Sequence, residues 1–121
     1  MVSRFTELVI DCRDPETVAG FWKEALGCPT VERGSDDMPY VSISGGGTPV
    51  ELVFVPVPET KDVKNRIHID VNPSDRDQAE EVERLLALGA RHADVGQGDV
   101  SWVVLADPEG NEFCVLSSRV N

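Results

Sequence analysis

The chain carries one order of sequence patterns twice, and this internal repeat is the feature that most limits its fold. Glu7 and Asp14 are seven positions apart, and so are His68 and Asp75. In each pair the first residue lies in a strand-like run and the second opens a helix-like run. A glycine that can stop the helix follows 20 positions after Glu7 and 21 positions after His68. Two nearly superimposable halves are therefore predicted.

The first half is predicted to be a strand, a helix and three further strands. In the run Phe5–Cys12, apolar residues alternate with Glu7 and Asp11, which is typical of a strand with one buried face. Asp14 and Pro15 are a favourable N-cap and first helical residue, and Gly27 is a favourable stop. The later strands are expected at Thr30–Arg33, Tyr40–Ser44 and Val50–Val57.

The second half repeats this order after a polar connector, Glu59 to Asn65. Ser74 is predicted to cap the second helix, because an acid, Asp77, follows three residues later, and Gly89 is predicted to end it. By alternation, Ile67 should face this helix together with the apolar residues of the other strands. The strands of this half are expected at Arg66–Val71, Arg91–Val95, Ser101–Ala106 and Glu112–Leu116.

Length and charge limit the functions of the chain. With 121 residues it has room for one domain, and its net charge of −11 repels nucleic-acid phosphates and anionic lipid headgroups. Neither a long apolar segment nor a secretion signal at the N-terminus is found, so we expect a cytoplasmic protein that uses no membrane. Neither nucleic acid nor a membrane is thus expected as a partner.

Several short motifs, taken in order, point to one family. They are Val9 to Pro15 running into Phe21-Trp22, then Asn65 to Asp70, Leu85 to Ala90, and Leu105 to Phe113, which contains an Asp-Pro-Glu-Gly turn. With them the whole chain resembles the vicinal-oxygen-chelate superfamily. This resemblance implies an α+β fold, the glyoxalase, bleomycin resistance and dioxygenase fold. It would be one domain over residues 1–121, with βαβββ modules at about 3–58 and 65–118 whose curved mixed sheets form a cup.

In the family, matching strand positions direct metal ligands into the cup. The resemblance implies Glu7, Glu51, His68 and Cys114 at these positions, holding one divalent ion such as Zn, Ni, Mn or Fe, or no metal at all. Glu51 and Glu7 are then the candidate catalytic residues, able to move a proton next to a carbonyl. Cys114 departs from the family, which usually has a glutamate there. It is either a thiolate ligand or a small apolar filler.

A small organic ligand is the expected partner, and five residues are candidates for contacting it. Trp102, Tyr40 and Met38 lie in or near strands where no helix stripe requires them, and aromatic walls suit organic ligands. The alternative for each is ordinary core packing. Asp11 and Arg66 are expected to face inward, where they contact the ligand or form a buried ion pair.

Three kinds of function remain open. One is a metal-dependent lyase or isomerase of the glyoxalase type, and another is a metal-free protein of the bleomycin-resistance type that sequesters a cationic compound, which the acidic charge favours. The third is an interaction module without catalysis. An extradiol dioxygenase is not expected, because the chain has only His68 and His92 for an iron site of two histidines and a carboxylate. The family resemblance also implies a homodimer.

Overall fold

The computed structural model describes residues 1–120, which form two compact units, Met1–Thr60 and a second that begins at Lys61. Each unit has one α-helix and one open four-stranded sheet, in the order strand, helix, three strands. The predicted α+β class with two βαβββ modules is confirmed. Both helices of the described residues are too short and too polar to span a bilayer.

The first unit is a mixed sheet with one helix packed on it. Strand β1 pairs in parallel with β4, and β3 joins β4 to β2 through antiparallel pairs, so the sheet order is β1-β4-β3-β2. Its elements are β1 (Glu7–Cys12), α1 (Pro15–Leu26), β2 (Thr30–Ser35), β3 (Met38–Ser44) and β4 (Glu51–Pro56).

Helix α1 begins and ends where the sequence predicts. The carboxylate of Asp14 accepts a hydrogen bond from the backbone N–H of Thr17 at 3.3 Å, and Gly27 takes a left-handed conformation with φ of 65° at the other end. Phe21 and Trp22 are buried and meet edge to face, with ring centroids 5.2 Å apart. The helix packs on β3 and β4, so the buried side of this sheet is fixed.

The second unit repeats the same topology with shorter strands. The sheet order is β5-β8-β7-β6, again with one parallel pair, and α2 packs on β8. Leu105, Phe113 and Val115 are fully buried in its core. Its elements are β5 (Ile69–Val71), α2 (Gln78–Leu88), β6 (Arg91–His92), β7 (Val103–Ala106) and β8 (Glu112–Val115).

The prediction that Ser74 caps the second helix is wrong, because the N-cap is Asp77. Its carboxylate accepts from the backbone N–H of Glu80 at 2.8 Å, and the Glu80 side chain accepts from the backbone N–H of Asp77 at 3.3 Å. Both candidate caps are followed by an acid three residues later. The longer glutamate side chain at position 80 reaches back to close a capping box, whose usual acid is Glu or Gln.

The strand predicted over Arg66–Val71 is also shorter than expected, and Ile67 does not face the helix. Strand β5 begins only at Ile69, and the side chain of Ile67 is 76% exposed. The residues before β5 are held by side chains instead of a ladder. The backbone N–H of Asn65 donates to Glu112 Oε1 at 2.9 Å, and its side-chain amide donates to Asn111 Oδ1 at 3.0 Å.

Glu112 anchors this connector to the start of β8. Its Oε2 also accepts from Lys61 Nζ at 2.8 Å, and the two side chains are only 13% and 19% exposed. Burial raises the pKa of the Glu112 carboxyl, but the hydrogen bonds from Lys61 and Asn65 outweigh it, so the pKa lies below its ordinary value. The carboxylate form is therefore stabilised by folding.

The turn before β8 is held by one fully buried carboxylate. Asp107 Oδ1 accepts from the backbone N–H groups of Glu109 and Asn111, at 2.9 and 3.0 Å, and both carboxylate oxygens accept from the Asn111 amide. Gly110 has a φ of 90°, which L side chains rarely adopt. The Asp-Pro-Glu-Gly motif thus fixes where β8 begins.

The two candidate helix caps can be separated by mutation. Asp77→Ala should lower the free energy of unfolding by ~1 kcal/mol because it removes the cap of α2. Ser74→Ala is the control and should leave that free energy within about 0.5 kcal/mol of wild type. Urea denaturation followed by circular dichroism measures both. Equal losses in the two variants would contradict the assignment of Asp77.

The anchoring role of Glu112 predicts a pH-dependent effect on stability. Glu112→Gln should lower the free energy of unfolding by about 1–3 kcal/mol at pH 7, because Lys61 loses a charged partner in a buried setting. The pKa of Glu112 is lowered in the folded state, so its contribution is present at neutral pH and is lost as the pH falls through that pKa.

Urea denaturation of wild type and variant at pH 7 and at pH 3 measures this difference, which should shrink at pH 3. A matched control is Glu16→Gln, which breaks the exposed pair of Glu16 with Arg33 and should change stability little. A Glu112 effect no larger than the control would contradict the anchoring role.

Candidate functional site

The second unit contains a cavity of about 320 Å³ that is lined by both apolar and polar side chains. Its apolar lining consists of Val95, Trp102, Val104 and Leu116. Its polar lining consists of Lys64, His68, Asp70, Gln97, Glu112 and Cys114. An apolar cavity with a few convergent polar groups is the usual form of a small-molecule site.

The alternation of β8 explains why these side chains share one wall. Glu112, Cys114 and Leu116 are two residues apart and line the cavity, whereas Phe113 and Val115 between them are fully buried on the helix side. Successive side chains of a strand point to opposite faces, so packing against α2 forces the other set toward the cavity.

Three potential metal ligands converge on this wall: His68, Asp70 and Cys114. Their donor atoms all lie within 4.8 Å of one another, and His68 Nε2 is 3.2 Å from Asp70 Oδ1. Asp70 and Cys114 are partners in the parallel register of β5 and β8, while His68 precedes Asp70 by two positions. The His68 and Asp70 side chains are about half exposed, whereas Cys114 is buried.

The Cys114 thiol is held in its neutral form. Burial raises its pKa above the ordinary value, and the negative charge of Asp70 with a hydrogen bond to that carboxylate raises it further. The positive charge of Lys64 acts in the opposite direction but does not outweigh them. A free thiol in this setting is a poor nucleophile, because the thiolate is the reactive form. A bound cation would reverse this balance.

The three donors fit a divalent metal ion, and zinc best. Zinc lies at about 2.0–2.3 Å from nitrogen, oxygen and sulfur ligands in tetrahedral sites, so donors that share it are about 3.3–3.8 Å apart. The three donor atoms lie within 4.8 Å of one another, and the His68 and Asp70 side chains are about half exposed, so they can move toward a bound ion. A thiolate favours zinc over manganese, which prefers oxygen ligands. Three protein ligands also leave a coordination position open, as in catalytic zinc sites.

The other two predicted ligands, Glu7 and Glu51, lie in the first unit. They are direct partners in the parallel register of β1 and β4, with Glu7 exposed and Glu51 half-buried. Partners in register share one face of the sheet, so the two carboxylates are neighbours. Whether they act with His68 and Cys114 stays a prediction.

The registers of the two units also refine the proposed repeat. Glu7 and Glu51 are 44 positions apart, and so are the partners Asp70 and Cys114. If Glu7 corresponds to His68, the same separation makes Glu51 correspond to Glu112. Cys114 then corresponds to Val53, a buried apolar residue of β4. Only one unit therefore has a metal-ligating side chain at this position of its last strand.

The predicted ligand-contacting residues are divided between the two units. Trp102 lines the cavity and is 41% exposed. Met38 and Tyr40 lie in β3 of the first unit, where a Cβ at Gly34 would overlap the backbone oxygen of Met38 and the ring of Tyr40. Glycine at position 34 is thus required by the close approach of β3.

The structure places Asp11 in β1 of the first unit and Arg66 in the second unit. Both side chains are exposed, and Arg66 precedes β5 instead of lying within it. The inward direction expected for them depended on regular alternation along each strand. Arg66 lies outside this alternation because the strand is shorter. A contact of either residue with a ligand stays a prediction.

Several cavity residues were not identified from the sequence. They are Asp70, Lys64, Gln97 and Glu112, which were not among the candidate site residues. A signal existed for two of them: Asp70 follows His68 by two positions, and Glu112 precedes Cys114 by two. Lys64 and Gln97 lie in irregular segments, where no periodicity indicates direction.

Comparison with solved structures finds close matches in fold at low sequence identity. FosX from Listeria monocytogenes, a fosfomycin resistance protein solved as a mutant with Mn(II) and 1S,2S-dihydroxypropylphosphonic acid, has a TM-score of 0.74 and 14% identity, covering 99% of this chain and 96% of that one. A glyoxalase-related enzyme from Fulvimarina pelagi has a TM-score of 0.64 and 18% identity, covering 94% and 87%. A hypothetical protein from S. aureus has a TM-score of 0.63 and 20% identity, covering 98% and 99%.

Sequence comparison identifies the family. A search of curated proteins gives no significant match. The profile of the glyoxalase-like domain, in contrast, matches residues 7–116, which is nearly all of the chain. The profile and the shared fold agree with the two βαβββ modules described above. This chain belongs to the glyoxalase-like domain family, within the vicinal-oxygen-chelate superfamily.

Proposed function

We propose that this chain binds a small organic molecule in the cavity of its second unit, beside a divalent metal ion held by His68, Asp70 and Cys114. The observation that carries the proposal is the convergence of three different donor atoms within 4.8 Å on the wall of a partly apolar cavity. The FosX structure that contains Mn(II) and a small phosphonic acid supports it by analogy of fold.

The apolar and the polar lining residues of the cavity would have different roles. When bound, the ion would act as a Lewis acid on oxygen atoms of the ligand. Trp102, Val104 and Leu116 would hold the apolar part of the ligand and exclude water from its surroundings. His68 and Asp70, which already contact each other at 3.2 Å, would hold the ion on the open side of the cavity.

As the reaction we propose proton transfer next to a carbonyl, by a lyase or isomerase with Glu51 and Glu7 as the proton-moving residues. Their position side by side on β1 and β4 supports this role, because a carboxylate is a suitable general base. The reaction type comes from the family resemblance, and substitution of the two residues tests their role.

Metal binding is tested with protein purified without chelator. Wild type should contain about one zinc per chain, and His68→Ala and Cys114→Ala should each weaken zinc binding about 100-fold or more, because each variant removes one of three protein ligands. His92→Ala, which changes an exposed histidine of β6, is the control and should bind zinc like wild type. Zinc titration with a chromogenic chelator as competitor gives the affinities.

Two results would contradict the metal site. One is zinc binding that survives both substitutions, and the other is the absence of binding by any divalent ion. In the second case, a melting temperature raised by cationic aromatic compounds would favour the metal-free, sequestering protein that the net charge of −11 also suggests.

Zinc affinity should rise with pH because the metal must displace a proton from Cys114. The pKa of this thiol is raised, so it is protonated throughout the neutral range in the metal-free protein. Between pH 7 and pH 8 the affinity should therefore increase by about tenfold from this group alone. Cys114→Ala should release one proton fewer for each zinc ion bound, and isothermal titration calorimetry in buffers of different ionisation enthalpy measures this number. An unchanged number of released protons would show that Cys114 does not bind the zinc.

The proposed reaction can be examined by proton exchange in heavy water. Zinc-loaded protein should accelerate exchange of the C3 protons of 2-oxobutanoate, which are next to its ketone, and Glu51→Gln or Glu7→Gln should lower that acceleration by about 100-fold or more, the usual contribution of a general base. Glu32→Gln on the exposed side of β2 is the control. Exchange observed by proton NMR that is unaffected in both variants would remove these residues from the mechanism.

A further inference from the structure

We propose that the cavity selects a monoanion, a small carboxylic acid with an aromatic or branched apolar part, and that Lys64 recognises its negative charge. This inference rests on the proposed function, because it concerns the ligand of the same cavity. It names the charge of the ligand, which the family resemblance does not supply.

The lining of the cavity includes one ammonium group, on Lys64, and two carboxyl groups, on Asp70 and Glu112. Glu112 is compensated by Lys61 at 2.8 Å and accepts a further hydrogen bond from the backbone of Asn65. Both members of the ion pair are largely buried, so a cationic ligand would have to displace Lys61 to reach the carboxylate.

A bound divalent ion would be electrically balanced by its protein ligands. The negative charges of the Asp70 carboxylate and of the Cys114 thiolate would offset the two positive charges of the ion, and His68 would add none. The remaining charge on the wall is then the ammonium of Lys64. One uncompensated positive charge in a largely apolar cavity favours a ligand with one negative charge.

Lys64 lines the same cavity as the three potential metal ligands His68, Asp70 and Cys114. Lys64 Nζ donates to the carbonyl oxygen of Asn65 at 3.1 Å. An ammonium has three donors, so others remain for a ligand. A carboxylate could thus contact Lys64 while another oxygen of the same molecule approaches the metal ligands.

The charges that line the cavity affect a bound ligand more than the net charge of the whole chain does. The net charge of −11 is spread over the sequence, and charges beyond about 8 Å are largely screened at physiological salt.

The size of the cavity also fits such a ligand. A cavity of about 150 Å³ holds benzene, so about 320 Å³ accommodates an aromatic ring with a short acidic chain. Trp102 supplies an aromatic surface for the ring.

Three probes of matched shape test the inference on zinc-loaded protein. Mandelate, mandelamide and 2-amino-1-phenylethanol share a ring and a hydroxyl group but carry charges of −1, 0 and +1. Mandelate should bind most tightly, as measured by calorimetry and by the change in tryptophan emission that Trp102 in the cavity lining gives. Lys64→Gln should lower the affinity for mandelate by about tenfold, the usual effect of one charge-assisted hydrogen bond, and that for mandelamide by less than about twofold.

The control variants separate charge from structure. Lys64→Arg should retain most of the preference for mandelate, and Lys23→Gln in α1 of the first unit should leave all three affinities unchanged. The charge assignment would be overturned if Lys64→Gln lost the same affinity for mandelate as for mandelamide, or if the amine bound most tightly. Zinc binding would still support the proposed function in that case. Absence of both zinc binding and probe binding would overturn both.

Discussion

The burial of Phe113 and Val115 beneath α2 is the constraint on which the second unit depends. These two side chains are fully buried, and they decide which way β8 faces. Because side chains alternate along a strand, Glu112, Cys114 and Leu116 then line the cavity. A shift of one residue would bury the carboxylate and expose the core residues. The packing energy of the core therefore also fixes the position of the polar wall.

The same strand joins stability to the site through Glu112. This residue lines the cavity, yet its carboxylate is bound to Lys61 and to the backbone of Asn65. It holds the connector that carries Lys64 and leads into His68. The buried Asp107 fixes the turn just before it. The carboxylates of Glu112 and Asp107 thus help to position Lys64 and His68, the residues for which we propose a role in binding.

Cys114 gives the donor cluster on the cavity wall a sulfur atom. A buried thiol with a raised pKa is a poor nucleophile without a metal, and a soft ligand when one is bound. Asp70 adds an oxygen donor from the neighbouring strand, where it is in register with Cys114. The cluster on this wall is therefore better suited to zinc than to a metal that prefers only oxygen.

The sequence alone determined the duplicated βαβββ plan, the N-cap and end of α1, the end of α2 and the candidates His68 and Cys114, because periodicity and capping are local signals. Its prediction of Ser74 as the N-cap of α2 was wrong, since Ser74 and Asp77 both have an acid three residues on and only the folded geometry shows which capping box closes. Nor did it show that Ile67 is exposed or that Lys64 lines the cavity. Those positions depend on side-chain contacts of Glu112 and Asn65 across about 50 residues of sequence, and no local pattern records a contact of that range.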